Sequence, residues 1–190
     1  MTTQVSFQDM EPEARVVTIG TFDGVHRGHQ KLIERTRERA VALGARSTVV
    51  TFEPVPASVL RPDKFAGRIC TAGRKLTLLE SLGPDEIVVI EFDRALAAKS
   101  PEEFLTELKQ RTGLIELWVG EGFALGRNRA GDVARIREIG QQLGFVTVAM
   151  PRVLDGTEII SSSSIRRAIE AGNVAFAAES LGRPFQVSGE

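Results

Sequence analysis

Tyrosine is absent from this chain of 190 residues, tryptophan and cysteine each occur once, and histidine occurs twice. A lone thiol, Cys70, cannot close an intramolecular disulfide and leaves too few ligands for a zinc knuckle. A disulfide scaffold is thereby excluded, and a reducing, cytoplasmic compartment is expected. No stretch approaches the roughly 20 consecutive apolar residues of a membrane helix, so no membrane partner is expected. Met1 to Glu13 has neither a basic start nor an apolar run and does not read as a secretory signal. Charge of one sign is also lacking, with 24 Lys and Arg against 25 Asp and Glu. No global field exists to gather nucleic acid, so no nucleic-acid partner is expected and any phosphate-binding device must be local. The dinucleotide fingerprint is missing, because the interval from Gly122 to Gly126 is one residue too long. So is a Walker A sequence, because Gly73-Arg74-Lys75 lacks its ending.

What is present reads as one globular domain, 42% hydrophobic and 26% charged, large enough to bury a single core. Five apolar runs of strand length recur: Arg15 to Gly20, Ser47 to Phe52, Glu86 to Phe92, Ile115 to Gly120 and Phe145 to Met150. Their Val/Ile content without polar alternation predicts burial on both faces, hence an α/β, Rossmann-like, doubly wound and mostly parallel five-stranded sheet. Between them, Gly28 to Leu43 carries one apolar stripe of Leu32, Ile33, Thr36, Ala40, Val41 and Leu43, stopped by Gly44. Ser100, Pro101 and Glu103 form a capping box that opens a helix through Lys109, and Asp132 caps a helix to Leu143. Two short helices follow, about Ser163 to Ala171 and Val174 to Leu181. Pro54 to Ala72 reads as a long loop or small excursion. Residues 1–14 read as an extension, 15–183 as the domain and 184–190 as a linker remnant.

The strongest chemical signal is Gly20-Thr21-Phe22-Asp23-Gly24-Val25-His26-Arg27-Gly28-His29, between the first strand and first helix. Open parallel sheets bind ligands there, beyond the carboxyl ends of the strands. A helix N-terminus offers unpaired amides and partial positive charge to a phosphate, and Gly24 and Gly28 would let it come close. His26 and His29, straddling Gly28, can aim two donors at one phosphate group. The plainer alternative is a tight turn with His29 in solvent. A zinc site is disfavoured, since no third histidine exists, and no residue set for a resident metal is identified. A second device is Ser161 to Arg166 at a helix start, where hydroxyls cap amides or bind phosphate and Arg166 adds a charged fork. Arg167 reads as solvated. In the loop after the fourth strand, Arg127 and Arg129 are able to meet a substrate phosphate. Asp23 is expected to stabilise its own turn.

Taken in order, Gly20 to His29, Thr51 to Pro54 (T-F-E-P), Ser100 to Phe104 (S-P-E-E-F), Gly126 to Asp132 (G-R-N-R-A-G-D), Ile160 to Arg166 and Leu181 to Pro184 (L-G-R-P) resemble one known family. Residues 15 to 183 are similar to the adenylyl-transferring N-terminal module of bacterial bifunctional riboflavin kinase/FMN adenylyltransferases, or FAD synthetases. The H-x-G-H element alone indicates only the wider nucleotidyltransferase superfamily. The resemblance implies transfer of AMP from ATP to FMN, giving FAD and pyrophosphate, with Mg²⁺ assisting and ATP and FMN as substrates. It implies catalytic roles for His26, His29, Ser162 and Arg166, with the two histidines holding and neutralising the ATP phosphates. It also implies binding roles for Gly20, Phe22, Asp23, Gly24, Gly28, Ser163 and Arg129, and a riboflavin kinase partner, covalent or not. The chain departs from the family at Val55, where histidine is usual, at Gly122, where an acidic or amide residue is usual, and at Leu125, where a second aromatic is usual. These departures touch the acceptor half. They keep two alternatives open: another phosphorylated acceptor, or a nucleotide- or flavin-binding module with weak catalysis.

Overall fold

The computed structural model describes residues 2–155 and 158–187. In chain order the elements are β1 (Thr3–Val5), β2 (Arg15–Ile19), α1 (Arg27–Leu43), β3 (Arg46–Glu53), α2 (Pro56–Leu60), α3 (Ala72–Ser81), β4 (Glu86–Glu91), α4 (Arg94–Ala98) and α5 (Pro101–Thr112). They continue as β5 (Leu114–Gly120), β6 (Ala124–Leu125), β7 (Gly131–Asp132), α6 (Val133–Leu143), β8 (Val146–Met150), β9 (Leu154–Asp155), β10 (Glu158–Ile159), α7 (Ser162–Glu170) and α8 (Val174–Leu181). The main sheet has the order β1-β4-β3-β2-β5-β8 and every pairing in it is parallel.

The five strands read from the sequence are all in this sheet. A sixth, β1, lies within the segment expected to be an extension and pairs with β4 at the edge. Its three residues are partly or largely exposed, so it lacks the apolar run that marks a buried strand. At the centre, β2 is buried along its whole length. One face of the sheet packs Leu105, Leu108, Ile136 and Ile139 from α5 and α6. The other packs Leu32 and Ile33 from α1 and Leu79 from α3. At about 1.5–3 kcal/mol for each fully buried aliphatic side chain, these two layers hold the sheet. The α1 stripe is narrower than the sequence suggested. Ala40 is buried, but Val41, rotated about 100° from it on a helix of 3.6 residues per turn, is 82% exposed, and Leu43 is exposed too.

The capping box of α5 is present, with the helix running on to Thr112, and Asp132 caps α6. α7 starts at Ser162, one residue earlier than expected. The stretch Pro54 to Ala72 holds α2 and a short 3₁₀ turn. Of the expected linker 184–190, residues 188–190 lie outside the described residues.

From β2 the chain winds outward through β3 and β4, then crosses back to β5 and β8 on the other side. The loops leaving β2 and β5 therefore diverge from adjacent strands, and the crevice between them is the topological switch point where such sheets bind ligands.

Both Gly113 and Gly144 end helices in the left-handed region, at φ 65° and 74°. A methyl at Gly113 would collide with the Glu13 backbone, whereas one at Gly144 would meet nothing within 4 Å. Gly144→Ala is expected to lose about 1 kcal/mol for the conformation alone. Gly113→Ala is expected to lose roughly 2–4 kcal/mol, because overpacking adds to it. Urea denaturation of the two variants checks the difference.

Candidate active site

The crevice opens as a single cleft of about 1410 Å³ at the carboxyl ends of the central strands. Pockets for drug-sized ligands are roughly 300–1000 Å³, so the cleft has room for two substrates together. Its lining combines apolar side chains, Phe52, Val55, Leu60, Phe92, Phe104 and Phe123, with polar ones, His26, His29, Ser162, Ser163 and Arg166. Phe52 and Phe92 pack edge to face, with ring centroids 5.7 Å apart.

His26 is the N-cap of α1, and its Nδ1 accepts the His29 backbone N–H at 3.4 Å. With Nδ1 an acceptor, the proton of the neutral ring belongs on Nε2. The two imidazoles are stacked, with centroids 3.5 Å apart and planes 20° apart, and Phe22 meets His29 edge-on at 5.1 Å. The Nδ1 of His29 is buried without a partner. Burial, and after it the nearby Arg183 guanidinium, lower the His26 imidazole to about 4. Burial, then the neighbouring His26, hold His29 well below its usual value. Both rings are therefore neutral at pH 7. The unliganded rings can donate hydrogen bonds, and an arriving anion would raise their pKa.

The backbone before His26 is unusual. Phe22 and Val25 have φ of 50° and 43°, a strained region for a β-branched residue. The carbonyls of this turn are received one by one. Thr21 O accepts from Thr51 Oγ1 and from Lys75 Nζ, Phe22 O from the Val25 amide, and Asp23 O from Ser162 Oγ at 3.0 Å. Gly24 O accepts from Arg183, and Val25 O from Gln30 and Arg183.

Lys75 is fully buried. It also donates to Thr51 Oγ1 and Phe52 O, and its Nζ lies 2.6 Å from Glu53 Oε1. Glu53 in turn holds Arg68 through both oxygens. Burial lowers the Lys75 ammonium, opposed by its Glu53 partner. Burial also acts to raise the Glu53 carboxyl, but the pairs with Arg68 and Lys75 outweigh it and hold the group below its usual value.

Of the residues singled out in the sequence, Gly20, Phe22, Asp23, His26, Gly28, His29, Ser162, Ser163, Arg166 and Arg129 all line the cleft. Gly24 does not. At φ 78° it lies against Ile69, whose side chain a methyl there would strike at 2.8 Å. Gly28 makes room for the His26 ring, 3.2 Å from where its Cβ would be. Asp23 is buried and does not close its own turn: its carboxylate accepts the Ile69 amide and pairs with Arg166 Nη2 at 2.7 Å. Arg166 is thus already paired, with its buried Nε left without a partner. Ser161 and Ser164 form a reciprocal capping box, leaving Ser162 and Ser163 beside the cleft. Arg129 donates to Gly122 O at 3.3 Å, and Arg167 is exposed at the rim. Gly126 and Gly131 pack onto Pro101, where a methyl would come within 2.7 Å and 2.8 Å, so the loop after β5 rests on the start of α5. Val55 and Leu125 are buried. Lys75, Gln30 and Arg183 escaped the sequence reading as functional residues. Thr-Phe-Glu-Pro and Leu-Gly-Arg-Pro were visible there only as matching strings.

A family model described as FAD synthetase matches residues 8–164. The chain belongs to the FAD synthetase family. It is 39% identical over 185 residues to a bifunctional riboflavin kinase/FMN adenylyltransferase of Pseudomonas fluorescens, covering 95% of this chain and 59% of that protein. It is 34% identical over 178 residues to the protein of the same description from Escherichia coli K12, covering 93% and 57%. The chain therefore spans less than two thirds of the length of these relatives. Among solved structures it is similar to one described as a macrolide-efflux protein from Streptococcus pneumoniae, with a TM-score of 0.81, 27% identity, and coverage of 100% of this chain and 66% of that one. A pantoate-beta-alanine ligase from Francisella tularensis shares the fold at a TM-score of 0.56 and 14% identity, covering 92% and 80% of the two chains. Among the described residues, no helix is long and apolar enough to cross a membrane. No group of three or more His, Cys, Asp or Glu side chains there is arranged to hold a metal ion.

Burying a neutral histidine gives the family fold a defined pH dependence here. Between about pH 6.5 and 4 the unfolded chain protonates at His26 while the folded one does not, so unfolding free energy must fall as pH drops through that window. A shift of that size corresponds to about 3 kcal/mol. His26→Asn, which keeps a capping acceptor, is expected to lose about that much of the slope, as read by denaturation at pH 7 and pH 4.5.

Proposed function

We propose that this FAD synthetase family chain is an FMN adenylyltransferase, joining AMP from ATP to FMN and releasing pyrophosphate. The observation that carries the reading is the stacked His26–His29 pair at the mouth of the β2–α1 junction, in a cleft lined by both polar and aromatic side chains. The names borne by relatives at 39% and 34% identity point to the same reaction.

In this reading the triphosphate lies along the N-terminus of α1. His26 Nε2–H and the His29 ring donate to it, Ser162 and Ser163 contribute hydroxyls at the start of α7, and Arg166 supplies a charged fork from its pair with Asp23. Gly20, Phe22, Gly28 and Arg129 complete the lining. An ionised phosphate oxygen of FMN attacks the α-phosphorus. A new P–O bond forms, the bond to the β-phosphate oxygen breaks, and pyrophosphate leaves with that electron pair. No side-chain nucleophile is needed, because positioning and charge stabilisation supply the acceleration. The flavin ring would lie on the Phe52, Phe92 and Phe123 side chains. Mg²⁺ fits as part of the ATP substrate, held through phosphate and water rather than by a protein cage, and supplies charge neutralisation there. Residues 15–183 carry the transfer, and a riboflavin kinase partner and cytoplasmic residence belong to the same proposal.

A second acceptor is worth testing because Val55 and Gly122 line the cleft without the side chains usual in the family. The experiment supplies ATP and Mg²⁺ with FMN or with a panel of other phosphorylated alcohols, and assays pyrophosphate with the adenylylated product. FAD formation with FMN is expected. Pyrophosphate released only with another acceptor would replace FMN in the reading, and none with any acceptor would remove the activity. His29→Ala is expected to lower kcat by about a hundredfold, the usual loss for one donor to a developing charge.

A further inference from the structure

Arg183 lies in the turn after α8, outside the cleft lining, against a separate hollow of about 270 Å³. Its guanidinium reaches back to the β2–α1 turn. Nη2 donates to Gly24 O at 2.5 Å, and Nη1 donates to Val25 O at 3.3 Å and Leu181 O at 3.1 Å. Gln30 Nε2 donates to Val25 O at 2.8 Å and Leu181 O at 2.9 Å. No carboxylate among the described residues pairs with Arg183, so backbone carbonyls are its polar partners.

The direction of those bonds matters. In a planar trans peptide the C=O and N–H point opposite ways. Because Val25 O is drawn outward onto Arg183 and Gln30, the His26 amide in the same peptide is turned away from them. No hydrogen bond among the described residues uses that amide as a donor. Val25 at φ 43° would not hold this orientation unaided, since an L-residue with a branched Cβ avoids that region.

We infer that Arg183 is a positioning residue for adenylyl transfer: by fixing the Gly24 and Val25 carbonyls from behind, it turns the His26 amide toward the triphosphate and sets the His26 ring beside it. The inference rests on the proposed function, and the residue acts through His26 without touching substrate. Its charge also reaches that ring, adding to the burial that keeps it neutral.

The test compares the full chain with Arg183→Gln and Arg183→Lys. Kinetics are followed by pyrophosphate release, and the His26 amide and ring by NMR, which is simplified by there being only two histidines. Arg183→Gln is expected to lose about a hundredfold in kcat, the scale of a misplaced catalytic group, with KM for FMN changed by less than about threefold. The lysine variant, with charge but no fork, is expected to fall between; should the glutamine variant not fold, a loss of about tenfold or more in kcat for the lysine variant supports the inference and a kcat within about threefold of the parent overturns it. The His26 ring pKa is expected to rise in Arg183→Gln. A kcat within about threefold of the parent in both variants, with the ring pKa unmoved, would overturn the inference. Should the parent chain make no FAD, the proposed function fails separately. Arg183 is then judged on a non-hydrolysable ATP analogue: a His26 amide shift present in the parent and lost in Arg183→Gln supports its role, and equal shifts in both refute it.

Discussion

The turn from Thr21 to Val25 presents a run of peptide carbonyls that its own backbone satisfies only at Phe22, and much of the molecule is arranged to receive the others. A buried backbone polar group without a partner is costly. The partners arrive from five parts of the chain: Gln30 in α1, Thr51 at the end of β3, Lys75 in α3, Ser162 at the start of α7 and Arg183 after α8. With the carbonyls of Thr21, Asp23, Gly24 and Val25 held by side chains, the turn can keep its strained φ angles, and the N-terminus of α1 stays clear. The histidine pair and the helix dipole then face one direction together, which is the requirement for gathering a chain of phosphates.

Charge is distributed to suit that arrangement. Lys75 sits wholly inside the fold, matched by Glu53, while Glu53 is shared with Arg68. Asp23 is buried against Arg166. Removing one partner from such a pair would leave an uncompensated charge, a loss of several kcal/mol, so these pairs bind the layers around the cleft to one another. The imidazoles, by contrast, are kept neutral by desolvation. Each uncharged ring retains one N–H to offer. In the proposed function the site meets a polyanion with oriented dipoles first, and the arriving charge would raise the pKa of the rings.

The sequence made the sheet legible because burial on both faces leaves an unmistakable mark: β2, β3, β4 and β5 are rich in Val, Ile and Leu, whereas the edge strand β8, expected to be buried on both faces, has no buried residue. β1 left none, since three edge residues bury too little to need an apolar run. The α5 and α6 caps were readable because a cap is a local hydrogen bond between residues three apart. The reach of α1's apolar stripe was overestimated at Val41, where a single-residue rotation off the packed face is invisible in composition. In the site, the H-x-G-H element announced itself through glycines, histidines and its place after a strand. The pairing of Asp23 with Arg166, 143 residues away, could not be read, because nothing local to either residue encodes the other. Likewise Lys75 looked like part of a failed phosphate loop, and only the packing of α3 under the turn shows it to be a buried support. Several strings that matched the family work as braces: Glu53 in T-F-E-P, Pro101 in S-P-E-E-F and Arg183 in L-G-R-P.

The central claim is that the stacked rings of His26 and His29 meet the phosphates of ATP at the N-terminus of α1. A crystal structure with a non-hydrolysable ATP analogue and Mg²⁺ tests it most directly. The account predicts phosphate oxygens at about 2.7–3.2 Å from His26 Nε2 and from the His29 ring. A triphosphate bound elsewhere in the cleft, with both rings still stacked and out of reach of it, would contradict the account.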